Sequence, residues 1–166
     1  MCSDKNKNIS SSPLYLTLRQ KATAYCAIAE RCEAEVRDKL VTWGAEDEKL
    51  ISAIVTYLEE NNFLSPSRYC AAYVHDKLLY QGWGKRKIEM MLRQKHLPQS
   101  HIKDALEAID EEQYDQVLEQ LLQKKARSLK KETGNVFRMK LLRYALSRGF
   151  DYENSLRIIE DLSSYN

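Results

Sequence analysis

The chain has 166 residues with 26 basic and 24 acidic side chains, 43% hydrophobic residues, and only 5 glycines and 3 prolines. That size bounds one ordinary domain or a string of small units, and the apolar fraction supports a packed core, which excludes a disordered chain. Abundant Leu, Glu, Lys, Arg and Ala predict an all-α protein. No apolar run reaches the roughly 20 residues that cross a bilayer, and the polar stretch 1–13 lacks a secretory-type apolar segment and reads as a disordered arm.

Beyond the arm, Leu18, Ala22, Tyr25, Cys26 and Ala29 recur at helical spacing and predict a first helix. A break near Arg31-Cys32 precedes a short second helix through Val36, Leu40 and Val41, which stops at Trp43-Gly44. A third opens among Glu46, Asp47 and Glu48, where acids suit the helix dipole. It carries Ile51, Ile54, Val55 and Leu58 inward and ends at Asn61-Asn62. Ser65 and Pro66 start a fourth as N-cap and first helical residue, with Tyr69, Tyr73 and Leu78 inward.

The stretch from Gln81 to Leu92 supplies the fifth helix. Gly82 and Gly84 break the chain, and Ile88, Met91 and Leu92 then share one face. Lys85, Arg86 and Lys87 fall in its first turn, where cations oppose the macrodipole at about 0.3–1 kcal/mol each. They read either as a solvated charge run or as a set that an anionic partner compensates. Pro98 opens a sixth helix with Ile102, Ala105, Leu106 and Ile109 inward. A seventh carries Tyr114, Val117, Leu118, Leu121 and Leu122 into the basic block 124–131. After a loop at Thr133-Gly134-Asn135, an eighth runs through Phe137, Leu141, Tyr144 and Ala145 to Arg148-Gly149-Phe150, and a ninth carries Leu156, Ile159 and Leu162.

The pattern has a period. A shift of 52 places Val36 on Ile88, Leu40 on Leu92, Leu50 on Ile102, Ile54 on Leu106 and Tyr57 on Ile109. A shift of 53 takes Ile88 to Leu141, Leu92 to Ala145, Leu97 to Phe150 and Leu106 to Ile159. Two nearly equal steps predict three tandem three-helix repeats, at 14–62, 63–110 and 111–166, after the arm at 1–13. Units of this size bury little core alone and stack, so the expected product is an elongated, curved helical array with long surfaces for partners.

A net charge of +2 conceals segregation: −2 over residues 1–62, +6 over 63–103, seven acids and no base over 104–123, +8 over 124–148 and −3 over the rest. Such blocks suggest basic surfaces on a folded scaffold. Catalytic patterns are missing from the sequence. There is no GxxxxGK[ST] or GxGxxG, and His75, His96 and His101 have no cysteine or carboxylate set to complete a metal site. Cys2, Cys26, Cys32 and Cys70 form no CxxC pair and read as reduced cysteines of a cytoplasmic protein. No enzyme, cofactor or metal is expected. The cations, with Tyr69, Tyr73, Tyr80 and Trp83 nearby, suit nucleic acid through phosphate contacts and stacking. They suit an acidic protein groove equally. Tyr69 and Tyr73 read as core residues, and Trp83 as either a packing or a contact residue.

Three stretches resemble the RecX family, bacterial regulators of the RecA recombinase. Asn62-Phe63-Leu64-Ser65-Pro66-Ser67-Arg68-Tyr69-Cys70 is similar to that family's Gly/Asn–aromatic–Leu–acidic–acidic–x–Arg–aromatic–Ala junction, with Ser65-Pro66 in place of the acids and Cys70 in place of alanine. Gly82-Trp83-Gly84 before a basic helix resembles its middle glycine–aromatic–glycine element, and Leu146-Ser147-Arg148-Gly149-Phe150 its Leu–x–Arg–Gly–aromatic ending. Cys32-Glu33-Ala34-Glu35-Val36 stands where the family often carries a Ser–x–x–Glu–Leu capping box. The resemblance covers roughly residues 18–163. It implies a monomeric, non-enzymatic, cytoplasmic protein that binds along the groove of a RecA–single-stranded DNA filament and modulates recombination, usually by inhibition. Single-stranded DNA is an implied partner, duplex DNA a weaker one, and a membrane is not. Together with the basic faces, this assigns partner or DNA contact to Arg68, Trp83, Lys85, Arg86, Lys87, Arg93, Lys124, Lys125, Arg127, Lys130, Lys131, Lys140, Arg143 and Arg148. The alternative from the residues alone is a stand-alone helical DNA-binding protein acting through the same faces.

Overall fold

The computed structural model describes residues 11–129 and 134–164. Among them are nine α-helices and no strand: α1 Pro13–Ile28, α2 Glu33–Thr42, α3 Glu48–Glu60, α4 Pro66–Leu79, α5 Lys85–Gln94, α6 Gln99–Glu107, α7 Glu111–Arg127, α8 Gly134–Ser147 and α9 Tyr152–Ser164. None is long and apolar enough to cross a membrane. The chain divides into two compact units, Met1–Tyr69 with Lys95–Leu97, and Cys70–Gln94 with Pro98–Asn166.

In the first unit, local chemistry sets the helix ends. The Ser12 hydroxyl accepts from Tyr15 N–H at 3.1 Å and Asp47 from Lys49 N–H at 2.9 Å, satisfying donors that a bare helix start leaves open. Asn62 takes φ +58 after α3, so Phe63 N–H can donate to Leu58 O at 2.8 Å and close the last turn. Helices α1, α2 and α3 pack pairwise around Leu18, Ala22, Val36, Leu40, Ile51, Ile54 and Leu58. Burying each large aliphatic contributes about 1.5–3 kcal/mol.

The same unit binds Glu35 tightly. Its carboxylate accepts from Lys95 Nζ at 2.8 Å, Tyr69 Oη at 3.0 Å and Cys32 N–H at 3.4 Å. Burial pushes this carboxyl up, but the Lys95 and Tyr69 hydrogen bonds, the Lys95 charge and the Cys32 amide outweigh it and hold it below its ordinary value. Burial, then the Glu35 charge, drives the Tyr69 phenol up. The Glu35–Cys32 bond keeps half of the expected capping box although cysteine replaces serine.

In the second unit, α7, α8 and α9 pack pairwise and α5 packs on α6. Leu118, Leu122, Leu141, Ala145, Phe150 and Ile159 are fully buried, and the Tyr114 and Phe150 rings meet at 5.1 Å. Residues superposed by the sequence period share burial: Val36, Ile88 and Leu141 are each 0% exposed, as are Leu40, Leu92 and Ala145.

Several expectations need correction. Val41 is exposed, because it lies one residue, about 100° of turn, past the buried Leu40. Ala29 is also exposed, at the end of α1, and Tyr73 is only half-buried; Cys70 and Val74 take the core positions of α4 instead. Gly134 and Asn135 begin α8 rather than forming a loop, while Thr133 lies outside the described residues. Residues 1–10 of the expected arm also lie outside them, and Pro13 already opens α1.

Candidate functional site

The loop Tyr80–Gly84 positions the most chemically distinctive surface of the second unit. Gly82 takes φ +58, and Trp83 N–H donates to Lys77 O at 2.9 Å. Gly84 then lies directly against the turn that follows α8. Its N–H donates to Arg148 O at 2.8 Å, and Arg86 N–H donates to Gly149 O at 3.1 Å. A Cβ on Gly84 would stand 2.3 Å from three backbone atoms of Gly149 and Phe150, and one on Gly149 would stand 2.4 Å from Lys87 Cβ. The Arg148 guanidinium closes the seam, with Nε donating to Gly82 O at 3.2 Å and Nη2 to Gln81 O.

This seam bears on the cationic start of α5. Lys85 N–H donates to the Tyr114 hydroxyl at 3.2 Å, while Lys87 and Ile88 N–H both close on Gly84 O. The amide donors that an anion would use at an open helix N-terminus are therefore already engaged. Burial pushes the Tyr114 phenol up to about 12, against the lowering effect of the Lys85 amide and with help from Asp151, Glu111 and Asp115. It remains a neutral hydroxyl able to accept.

The side chains divide. Lys85 Nζ pairs with Glu111 and lies 4.9 Å from the Tyr114 ring centre. Lys87 Nζ lies 4.4 Å from the centre of the half-buried Trp83; Lys77 Nζ, which pairs with Asp76 at 2.9 Å, lies 5.6 Å from it and 5.2 Å from the Tyr73 ring centre. Tyr73, Lys77, Trp83 and Lys87 thus alternate aromatic and cation along one ladder, each contact of a kind worth about 0.5–1 kcal/mol at exposed sites. Tyr80, 75% exposed, stands beside it with its ring 6.2 Å from His75. Arg86 is exposed, and its guanidinium has no partner among the described residues. It shares the outer face of α5 with Met90 and Arg93, whose Nη2 pairs with Glu89 at 2.6 Å.

The other sequence-predicted cations are placed as follows. Arg68, in the first unit, donates from Nε to Glu30 at 2.7 Å and from Nη2 to Asn62 O at 2.8 Å. Lys125 lies 5.2 Å from the Tyr144 ring centre. Lys124, Arg127, Lys140 and Arg143 are exposed near the end of α7 and along α8. Lys130 and Lys131 lie outside the described residues. Arg68 and Arg148 therefore hold backbone carbonyls, whereas Arg86 and Arg143 point their charge outward. Reasoning from sequence missed Lys77, although its i+4 spacing from Tyr73 was a usable signal. No group of three or more His, Cys, Asp or Glu able to hold a metal occurs among the described residues.

With this geometry in view, comparison with known proteins is specific. Residues 67–106 match the family model for the second three-helix domain of RecX, and residues 111–159 match that for its third three-helix domain. The chain is 30% identical to the regulatory protein RecX of Clostridium botulinum strain Alaska E43, over 98% of this chain and 76% of that protein. It is 33% identical to its counterpart in strain Eklund 17B, over 96% and 73% respectively. The crystal structure of RecX from Lactobacillus salivarius superposes with a TM-score of 0.80 at 22% identity, covering 91% of this chain and 97% of that one.

Proposed function

Because the chain belongs to the RecX family of non-enzymatic regulatory proteins, we propose that it regulates a RecA-type recombinase by binding along the groove of the RecA–single-stranded DNA filament, in the direction of inhibition. The reading makes it a cytoplasmic monomer whose DNA contacts are secondary to, or shared with, contacts to the recombinase.

The observation that carries the DNA part is the cation–aromatic ladder Tyr73–Lys77–Trp83–Lys87, with exposed Tyr80 near its start and exposed Arg86 on the adjoining outer face of α5. Cations along a surface attract phosphates, and aromatic faces accept unpaired bases whatever their sequence. Duplex DNA offers phosphates but no free base faces, so it should bind more weakly here. Lys124, Lys125, Arg127, Lys130 and Lys131 would extend the cationic contact, Arg93 would join it from α5, and Lys140 and Arg143 would face the protein of the filament. Arg68, Lys85 and Arg148 would serve through the loops and ion pairs that they hold.

The test compares binding to preformed RecA–single-stranded DNA filaments with binding to bare single-stranded DNA at one physiological salt concentration. Much tighter filament binding supports the reading, and inhibition of strand exchange at the same concentrations supports its direction. Equal or weaker filament binding refutes it and leaves a stand-alone DNA-binding protein.

A further inference from the structure

Helix α8 is apolar on two sides. Its inner face, Leu141, Leu142 and Ala145, is buried. On the adjoining outward face, Val136, Met139 and Leu146 remain 55%, 47% and 38% exposed. At 100° per residue these three lie within about 80° of one another, and Arg143 falls between them. Lys140 borders the same face, and the helix from Gly134 to Ser147 contains no acidic residue. Of its three cations, Arg138 is drawn aside to Glu160, at 2.9 Å.

We infer that this outward face of α8 is a protein-docking surface whose partner presents an apolar depression rimmed by carboxylates. On the proposed function, on which this inference rests, that partner is the recombinase subunit rather than the DNA. Two observations separate these. Val, Met and Leu offer a phosphate backbone nothing, and no aromatic ring stands free on this face for a base, since Tyr144 at its edge lies under Lys125. A contiguous apolar strip with a cation at its centre is what a protein interface buries, and exposed apolar clusters of this kind mark such sites. Charge complementarity sets the partner's sign, because nothing acidic on α8 would repel carboxylates and Arg143 can fork onto one. The molecule then divides its labour between the ladder beside α5 for nucleic acid and α8 for protein.

The test uses the full chain with Val136→Gln, Met139→Gln and Leu146→Gln combined, changes that retain helix propensity. Binding is measured to recombinase filaments, to bare single-stranded DNA and to vesicles of anionic lipid, with sedimentation for self-association. The inference expects filament affinity to fall about tenfold to a hundredfold, while bare-DNA affinity stays within about twofold and the melting temperature is kept. Met139→Gln alone, expected to give a smaller loss in the same assay, serves if the triple variant is poorly folded. Unchanged filament affinity overturns the inference while leaving the proposed function intact; a wild-type chain that ignores filaments removes both. Equal losses on filament and bare DNA, a vesicle affinity lost in the variant, or a wild-type dimer made monomeric by it each overturns the inference in favour of nucleic acid, membrane or self-association.

Discussion

Substituting Gly84 by alanine tests the seam between the α5 loop and the α8–α9 turn. The new Cβ would stand 2.3 Å from the Gly149 carbonyl carbon and oxygen and from the Phe150 nitrogen. All three are backbone atoms, so no rotamer change can relieve the contact. The seam must open, which strains or breaks the bonds from Gly84 N–H to Arg148 O and from Arg86 N–H to Gly149 O. Overpacking of this kind costs about 1–3 kcal/mol, and each lost hydrogen bond adds about 1 kcal/mol. The lower entropy of the unfolded alanine chain offsets about 0.4–1 kcal/mol. The net destabilisation is about 2–5 kcal/mol. With a mid-range urea slope of about 2 kcal/mol per molar, the midpoint should fall by roughly 1–2.5 M. The chain has 2 tryptophans, and Trp43→Phe leaves Trp83 as the fluorescent reporter of the second unit. Gly134→Ala, in the same unit, is the control. Gly134 has φ +59 but nothing within 4 Å of an added Cβ, so only backbone strain of about 1 kcal/mol is expected. A Gly84→Ala midpoint shift no larger than the Gly134→Ala shift would refute the seam as a structural clamp.

Other outcomes follow from the same contacts. Arg86→Ala should weaken filament binding several-fold and reduce its salt dependence without moving the melting temperature, because its guanidinium has no partner among the described residues; a melting shift of many degrees would show the charge to be structural. Arg148→Ala should behave oppositely, destabilising the second unit by about 1–3 kcal/mol through the loss of its bonds to Gln81 and Gly82, and unchanged urea stability counts against it. For Glu35, whose folded carboxyl is held below its ordinary 4.5, the stabilising contribution is full above that pH and disappears as pH falls through the lower folded value. The stability gap between wild type and Glu35→Gln should therefore narrow on acidification below about pH 4.5; a gap that is constant with pH contradicts the assignment.

The helix order was readable because nearly every start and stop has a local cause. Ser12, Asp47 and Asn62 act through neighbours within five residues, and the buried stripes Leu18–Ala22, Val36–Leu40 and Ile88–Leu92 repeat at one helical turn. The errors lie where partners are distant. Spacing could not say that Lys85 would meet Glu111 and Tyr114, or that Arg148 would reach back to Gly82. Charge counting therefore treated Arg68, Lys85, Arg86 and Arg148 alike, although three of them have intramolecular partners and one has none among the described residues. The apolar outer stripe of α8 was invisible for a related reason: apolar residues spread over more than half of a helix's circumference give it no dominant face, and only packing shows which part is left outside.

The motifs that carry the family resemblance have a common physical character. Asn62 supplies a left-handed helix end, and Arg68 binds that residue's carbonyl. Gly84 and Gly149 are the two sides of one backbone contact, and Arg148 fastens it. All of these hold loops between helices, where a particular φ or the lack of a Cβ leaves few acceptable residues. A binding face imposes no such restriction: a cation can sit at several positions along a helix and reach the same phosphate, and Val, Met or Leu can fill the same apolar depression. The resemblance is therefore a strong statement about fold and a weak one about contacts. Partner preference in this chain should respond to substitutions at Lys77, Met139 and Arg143, which belong to no motif, and at Arg86, on the outer face of the basic helix, far more than to conservative changes at the loop positions of the motifs, whose failure should register first as lost stability.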